Sequence, residues 1–511
     1  MVRIIYTIAF IIIVILSSCG KEKNTYFKYD SYVFSSNDED AGNWKTVLLS
    51  SNEQIQIAAP AEPSSSGYKT ELVAVKSAID KASKKEKEAV DFWSNNPINR
   101  WSEITLSLIA KYNLKVGPDA NGNYALPDSN KPFNYPYFPC SHPPYGARAL
   151  AYLSVATFDG LITAWHYKYK YNRAAPYVQD SKIKYAYVKN NIPSYPSDGA
   201  VVAEVARQVL SEMFPTEKVY LQKKADEHLK SLLLSGGYTQ SDIDAGKTIA
   251  SQVAAIAIQR AKADGVGKAQ CPKPVADSIS NAAFQKFGWR WENQEIPKRK
   301  VGIAPLWGQV RLWNVPKIED VRLPPPPAPG SPEFKEAESE IVYYEKIRNE
   351  ETTRIAMYWV DGIDTYGPPG HWNRFAKEFI IQYNFNPIRS ARTYAYLNMA
   401  LSDVAVGCWD SKYYYNYPRP IQLLKNFNVL ELTPNFPSYP SGHSCFSTTA
   451  AEILAYVFPQ EATKVREWAK EAGMSRVYGG IHWQFDNSGG AEQGRNVANF
   501  SINRAKADGA K

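Results

Sequence analysis

Cysteine is scarce in this chain, with five residues among 511. Apart from Cys19, the others are scattered at positions 140, 271, 408 and 445, and no two of them have the spacing of a metal site. So few cysteines in so long a chain exclude a disulfide framework. We therefore predict buried free thiols and no metal-binding cluster.

Long runs of one residue type are also missing. No cluster of lysines or arginines resembles a nucleic-acid footprint, so the net charge of +8 predicts solubility and a local anion site, with no nucleic-acid partner. One apolar run extends from Ile4 to Leu16, and its thirteen residues are too few to span a bilayer. No other stretch approaches the length of a transmembrane helix.

The N-terminus has the pattern of a targeting signal. The apolar run ends in Leu-Ser-Ser-Cys-Gly at 16–20, which resembles a bacterial lipoprotein signal in which Cys19 is lipidated. We expect residues 1–19 to be a signal peptide, and the body to be extracytoplasmic and membrane-anchored, in the periplasm or on the outer membrane. A plain secretory signal is the alternative. The sequence makes no prediction of oligomeric state.

An internal repeat with an offset of 244 residues runs through much of the chain. AYLSVATFDGLITAWHYKYKYNRAAP at 151–176 resembles AYLNMALSDVAVGCWDSKYYYNYPRP at 395–420. The same offset pairs PSYPS at 193–197 with PSYPS at 437–441, and RAKADG at 260–265 with RAKADG at 504–509. A repeat this long predicts duplicated domains and not a solenoid.

Helical periodicity with few breakers predicts an all-α fold of two pseudo-symmetric helix bundles. The predicted helices cover 71–93, 103–113, 146–168, 199–213, 217–234 and 245–263 in the first copy, and 335–359, 373–384, 390–412, 443–457, 461–478 and 489–505 in the second. The predicted divisions are a tether and irregular segment over 20–65, a degenerate N-terminal bundle over 66–270, an aromatic and proline-rich connector over 271–333, and a C-terminal bundle with the functional site over 334–511.

Basic residues and histidines are concentrated in the last hundred positions of the chain. Three fixed cations and two imidazoles can hold a tetrahedral oxyanion and do chemistry on it. Backbone amides at a helix start add donors, and a carboxylate four residues after a histidine can fix its tautomer. The candidate residues are Lys412, Arg419, Ser441, Gly442, His443, Arg476, His482 and Asp486.

The first copy lacks four of these residues. At the offset of 244, Arg419, His443, Arg476 and His482 correspond to Ala175, Gly199, Leu232 and Tyr238, whereas Lys412, Ser441 and Asp486 correspond to Lys168, Ser197 and Asp242. If the four residues served only the fold, both copies would need them. We therefore predict a single site, in the second copy. The alternative is that the four pack against the other copy, but buried cations without an anion are costly.

The pattern resembles the signature of the type-2 phosphatidic acid phosphatase and vanadium haloperoxidase superfamily. That signature is a lysine seven residues before Arg-Pro, then Pro-Ser-Gly-His, then Ser-Arg with a histidine six residues later and an aspartate four after that. All of its elements are present between Lys412 and Asp486. FPSYPSGH at 436–443 and PPGHW at 368–372 are similar to the soluble haloperoxidases, whereas the short interval from PSGH to Ser475 is similar to the phosphatases.

The resemblance implies a role for each candidate. In a phosphatase, which needs no cofactor, His482 would attack phosphorus and form a phosphohistidine while Asp486 orients it. His443 would protonate the leaving alcohol and then activate water. The anion would be bound by Lys412, Arg419, Arg476 and the amides near Ser441 and Gly442.

In a haloperoxidase, vanadate would be the cofactor, with His482 as its ligand and His443 assisting peroxide binding for halide oxidation. We favour a phosphatase that acts on a small phosphorylated substrate, with the haloperoxidase as the alternative. A non-catalytic lipoprotein that binds inorganic phosphate is a second alternative, but it would not need both histidines. His371 either lines the entrance or is structural.

Overall fold

The computed structural model describes residues 30–94, 96–113, 142–294, 298 and 300–510. Over these residues the protein is helical and has no β-strand, which confirms the predicted all-α class. The helices of nine residues or more are α1 Ser66–Lys81, α2 Lys84–Trp93, α3 Pro97–Tyr112, α4 Pro143–Tyr171, α5 Asp198–Met213, α6 Lys218–Leu234, α7 Gln240–Lys262, α8 Lys273–Phe287, α9 Pro332–Lys346, α10 Glu350–Tyr358, α11 Gly367–Gln382, α12 Pro387–Tyr415, α13 Gly442–Val457, α14 Ala462–Tyr478 and α15 Gln484–Lys506.

The predicted signal peptide, with Cys19, lies outside the described residues, as do the start of the tether and Cys140. Lipidation therefore stays a prediction. None of the described helices has both the length and the apolar character of a membrane span. Cys271, Cys408 and Cys445 are buried and free, which confirms the prediction of unpaired thiols for these three.

Two predicted helices are each divided in the structure. The segment predicted over 71–93 forms α1 and α2, because the Ser83 hydroxyl accepts from the Glu86 N–H and Glu86 accepts from the Ser83 N–H, which starts a new helix. Asn349 starts α10 in the same way. The predicted connector also contains a helix that was not predicted, α8.

Four helices of the second half repeat the lengths of four in the first half. Helices α4 and α12 have 29 residues each, α5 and α13 have 16, α6 and α14 have 17, and α7 and α15 have 23. Both long helices begin with proline and end at an asparagine with positive φ, Asn172 and Asn416. Origin by duplication stays a prediction.

The two halves share one hydrophobic core, because the long helices α4 and α12 pack against each other at the centre. Phe158 on α4 and Tyr396 on α12 are buried with ring centroids 6.2 Å apart. Asn398 on α12 donates to Ser154 Oγ on α4 at 2.9 Å. This packing holds α12 rigidly, and the last turn of α12 carries the first of the candidate site residues.

Candidate active site

The structure brings the predicted residues together where four helices of the second half meet. Helices α13, α14 and α15 pack against one another, and α12 packs against α13 and α15. Each candidate comes from an end of one of these helices or from a loop between them. The candidates are Lys412 in the last turn of α12, Arg419 after it, Ser441, Gly442 and His443 at the start of α13, Arg476 in the last turn of α14, and His482 and Asp486 at the start of α15.

Lys412 is completely buried, and its ammonium group is held by backbone carbonyls. Nζ donates to the carbonyl oxygens of Pro437, Ser438 and Pro440 at 2.9, 2.8 and 2.5 Å. Burial lowers the pKa of Lys412 to about 8, and the nearby charge of Arg419 adds to this effect. The ammonium group therefore fixes the loop before α13 and adds positive charge to the site.

Arg419 connects this loop to His482. Its Nε and Nη2 donate to the Phe436 carbonyl at 3.2 and 3.1 Å, and Nη1 donates to the Ile481 carbonyl at 2.8 Å. Nη1 also lies 3.2 Å from His482 Nε2. Since a guanidinium can only donate, Nε2 of His482 is the acceptor, and its lone pair points into the cationic site.

His482 and Asp486 form a buried hydrogen-bonded pair. His482 Nδ1 lies 2.8 Å from Asp486 Oδ2, so Nδ1 carries the proton and Nε2 is unprotonated, as a base or nucleophile must be. Ser438 Oγ and the Trp483 N–H donate to the same carboxylate oxygen at 2.5 and 3.1 Å. Burial, with the charge of Arg419, lowers the pKa of His482 well below its usual range, which favours the neutral imidazole.

The start of α13 borders open space. A Cβ added at Gly442 would meet no atom within 4 Å. The buried Nε2 of His443 has no hydrogen-bond partner among the described residues. Burial lowers the pKa of His443 well below its usual range, and Arg476 adds to this effect. An anion at this helix start would provide the missing partner for His443. Its negative charge would raise the pKa of His443 and so oppose the effect of Arg476 on that pKa.

Ser441 contributes less directly than predicted. Its N–H donates to the Asp486 carbonyl at 2.9 Å, so this amide is already used within the protein. Its hydroxyl caps α13 by accepting from the Ser444 N–H at 3.5 Å. The remaining candidate donors here are the Ser441 hydroxyl and the first amides of α13.

Two carboxylates and one serine at the site were missed by the sequence reasoning. Glu431 binds Arg476, with Oε1 2.5 Å from Nη1, and Ser438 supports Asp486. Asp361 lies 3.0 Å from Nδ1 of His371. None of the three belongs to a recognised spacing, although Ser438 lies within the repeated PSYPS segment.

His371 is buried beside this site. Its ring stacks on Trp359 with centroids 4.7 Å apart, and its Nε2 lies 3.1 Å from Arg374 Nη2. Its positive charge, when present, would lower the pKa of His443. Both readings of His371 given above, as a lining residue and as a structural one, are compatible with this position.

In the first half, the residues at the offset of 244 make different contacts. Lys168 Nζ lies 2.9 Å from Asp198 Oδ1, and Tyr238 donates to the same oxygen at 2.8 Å. A Cβ added at Gly199 would lie 2.4 Å from Leu232 Cδ2, so leucine occupies the space beside this helix start. This half therefore has a carboxylate and an aliphatic side chain where the second half has Gly442 and Arg476.

The whole arrangement suits chemistry on a tetrahedral oxyanion. Three buried cations make the site positive, the helix start can bind oxygens of the anion, and two imidazoles lie within the same group of helices. No group of His, Cys, Asp and Glu among the described residues has the arrangement of a metal site.

Comparisons with known proteins agree with this geometry. Residues 392–507 match the family model described as PAP2 superfamily. The non-specific acid phosphatase of Salmonella typhi is 28% identical over 186 residues, which are 33% of this chain and 67% of that protein. The vanadium chloroperoxidase of Curvularia inaequalis is 25% identical over 133 residues, which are 20% of this chain and 22% of that protein.

The fold is similar to a solved structure described as the first bacterial vanadium-dependent iodoperoxidase. The TM-score is 0.59 at 19% identity, over 80% of this chain and 96% of that chain. The match to the family model includes every residue of the signature from Lys412 to Asp486. Residues 392–507 therefore carry a PAP2 superfamily domain, and the proteins similar to this chain include both acid phosphatases and a vanadium haloperoxidase.

Proposed function

We propose that the protein hydrolyses phosphate monoesters, with His482 as the nucleophile and a phosphohistidine as the intermediate. The observation that carries this proposal is the His482–Asp486 pair, which leaves Nε2 of His482 unprotonated among three buried cations. A neutral imidazole held in this way is an effective nucleophile. The similarity to the acid phosphatase supports the same reaction class.

The reaction would proceed in two balanced steps. Nε2 of His482 attacks phosphorus, the bond from phosphorus to the ester oxygen breaks, and His443 gives its proton to the leaving alcohol. Water then attacks phosphorus, His443 takes a proton from it, and the bond from phosphorus to His482 breaks. The negative charge of the bound substrate favours protonation of His443, because it neutralises Arg476.

A vanadium haloperoxidase is the second candidate, and the similarity of the fold to the iodoperoxidase favours it. Vanadate has the shape and charge of phosphate and fits the same donors. Lys412, Arg419, Arg476 and the start of α13 would bind its oxygens, and Nε2 of His482 would be its ligand. Bound vanadate would supply activation of peroxide for halide oxidation.

We also propose that the protein is an extracytoplasmic lipoprotein anchored at Cys19. The lipoprotein-like pattern at residues 16–20 supports this location. An enzyme held there would meet phosphorylated compounds outside the cytoplasm. Labelling with a radioactive fatty acid in the native host, compared with a Cys19→Ala variant, tests the anchor.

One set of assays distinguishes the candidates. We expect hydrolysis of 4-nitrophenyl phosphate by the wild type and a loss of about 10³-fold or more in His482→Ala. Tyr238→Phe changes the equivalent position of the first half and should keep full activity. Bromide or iodide oxidation that needs both peroxide and added vanadate would favour the haloperoxidase. Phosphate binding without either reaction would indicate a binding protein.

A further inference from the structure

Every nitrogen of the Arg476 guanidinium already has a partner within the protein. Nε donates to Ser475 Oγ at 2.9 Å, and Nη1 donates to Glu431 Oε1 at 2.5 Å. Nη2 donates to the carbonyl oxygen of Ala356. These bonds use three of the five N–H groups, so an oxyanion that binds the remaining N–H of Nη1 would lie beside the Glu431 carboxylate, which repels it. Among the three acceptors, the Glu431 carboxylate is the one that resembles an oxyanion in charge and shape.

Glu431 reaches Arg476 from a surface loop that is fixed close to the site. Its neighbour Leu432 is 76% exposed, whereas the side chain of Glu431 is only 12% exposed. Leu430 donates its N–H to the Gly479 carbonyl at 2.9 Å, which joins the loop to the end of α14. A Cβ at Gly479 would lie 2.7 Å from Glu431 Oε1, so glycine there lets the carboxylate reach the guanidinium.

The charges that face Glu431 come from three parts of the structure. Arg476 at the end of α14 and Arg419 after α12 attract the carboxylate. Asp361, in the loop after α10, repels it. Burial raises the pKa of Glu431, and the two arginines oppose this shift. Glu431 therefore takes up a proton at a higher pH than an ordinary glutamate does.

The balance of charge depends on Glu431. Among the groups that bond directly to the site residues, three cations face two carboxylates, those of Glu431 and Asp486, because Asp361 bonds to His371 instead; this set carries one net positive charge. A singly charged anion balances that charge. When Glu431 is protonated or has moved out, two positive charges remain, and a doubly charged anion balances them.

We propose that Glu431 determines the charge of the oxyanion that the site accepts. Ionised Glu431 on Arg476 admits a monoanion, and a dianion binds well only after Glu431 has left Arg476 or has been neutralised. This inference rests on the proposed function, in which Arg476 binds the phosphate of the substrate. A phosphomonoester would therefore bind with one proton carried either by the substrate, as a monoanion beside ionised Glu431, or by Glu431, with the substrate as a dianion.

Sulfate binding tests the proposal without any need for turnover. Sulfate is a tetrahedral dianion whose charge is constant between about pH 5 and about pH 7.5, so only the protein titrates. Calorimetric titration of the full chain should show that wild-type affinity falls about tenfold or more over this range. Glu431→Gln keeps the shape of the side chain but removes its charge. We expect it to bind sulfate more tightly than the wild type at about pH 7.5 and to show a smaller pH dependence.

A matched control is available on α9, where Glu345 contacts the same loop. Glu345 accepts from the Asn428 N–H at 2.7 Å, at the exposed side of the loop. Glu345→Gln should therefore bind sulfate as the wild type does. Asp486 and Lys412 also titrate, but they are present in all three proteins, so the difference between wild type and variant isolates Glu431.

The other outcomes would overturn the inference. Sulfate affinity that is unchanged in Glu431→Gln, or weaker at both pH values in a variant whose circular dichroism is native, would show that Glu431 only positions Arg476. If neither protein bound sulfate, the proposal that this is an anion site would be wrong. If sulfate bound as expected but 4-nitrophenyl phosphate were not hydrolysed, this inference would stand and the proposed hydrolase would be rejected.

Discussion

Lys412 shows how burial changes the chemistry of a single residue. A solvated lysine stays charged to high pH, but burial lowers the pKa of Lys412 to about 8. Its three carbonyl partners keep the ammonium group in place without adding negative charge. Because lysine is charged below its pKa and neutral above it, the site loses one cation as the pH rises through about 8.

The pH dependence of substrate binding should report this loss. We expect KM for 4-nitrophenyl phosphate to rise above about pH 8, by up to about tenfold per pH unit, because the free enzyme must regain the charge of Lys412 to bind the anion. Steady-state kinetics from about pH 6 to about pH 10 measure this effect. A KM that stays constant over that range would contradict it.

At the residue scale, the sequence predicted which side chains meet but not all of their partners. The signature residues were predictable because their spacing is fixed along the chain. Glu431 and Asp361 were not predictable, because each lies in an irregular loop, and only the tertiary path of the loop brings it to Arg476 or to His371. The use of the Ser441 amide by Asp486 is likewise a tertiary contact.

At the element scale, the start of α13 is the feature on which anion binding depends. Its first amides lack partners within the helix, and Gly442 has no side chain to cover them. The predicted start of this helix, at residue 443, agrees with the observed start to within one residue. Ser441 fixes that start as the N-cap, with its hydroxyl on the Ser444 N–H.

Replacement of Gly442 by alanine should weaken anion binding without lowering the stability of the fold. The added methyl group meets no atom within 4 Å, so we expect native thermal stability. It would, however, project into the space for the anion and raise KM about tenfold or more, as 1–2 kcal/mol of lost binding implies. Thermal unfolding and steady-state kinetics measure the two effects.

Gly490→Ala provides the contrasting variant. Its Cβ would lie 2.7 Å from the Ser441 carbonyl oxygen, where α15 packs against α13, so this change should lower stability. If Gly442→Ala lost stability to the same extent as Gly490→Ala, or kept a normal KM, the open space at the start of α13 would not be the anion site.

The helices themselves were predictable to different degrees. Buried helices such as α12 and α13 have apolar residues around most of their surface and few breakers, so they were easy to recognise. Helix α8 was missed because Ala283 is its one buried residue, which leaves no apolar stripe to detect. The divisions at Ser83 and Asn349 depend on side-chain caps and do not interrupt the apolar periodicity.

At the scale of the whole molecule, the two halves share a core but differ in their capacity to bind anions. Contacts that support the fold occur in both: Arg148 binds Asp264 in the first half as Arg392 binds Asp508 in the second. Only the second half has the histidines and the open helix start. The sequence offset predicted this difference, but it did not predict that Asp198 pairs with Lys168.

We therefore expect one oxyanion to bind per chain. Calorimetric titration with phosphate should give a stoichiometry of one. Because phosphate would bind only the folded state, it should also stabilise the protein, by about 2.7 kcal/mol at a concentration of 100 times Kd. The corresponding rise in melting temperature should be absent in Arg419→Ala. A stoichiometry of two would show that the first half also binds the anion.

Because of the carboxylate of Asp198, the two halves differ in how much they depend on anions from solution. In the first half, the counter-ion of Lys168 is Asp198. Because Asp198 is a side chain of the same protein, it is always present. In the second half, Lys412 corresponds to Lys168 but bonds to backbone carbonyls among the described residues. Where phosphate is scarce, the charge of Lys412 therefore stays without an anionic partner, whereas that of Lys168 is compensated at all times.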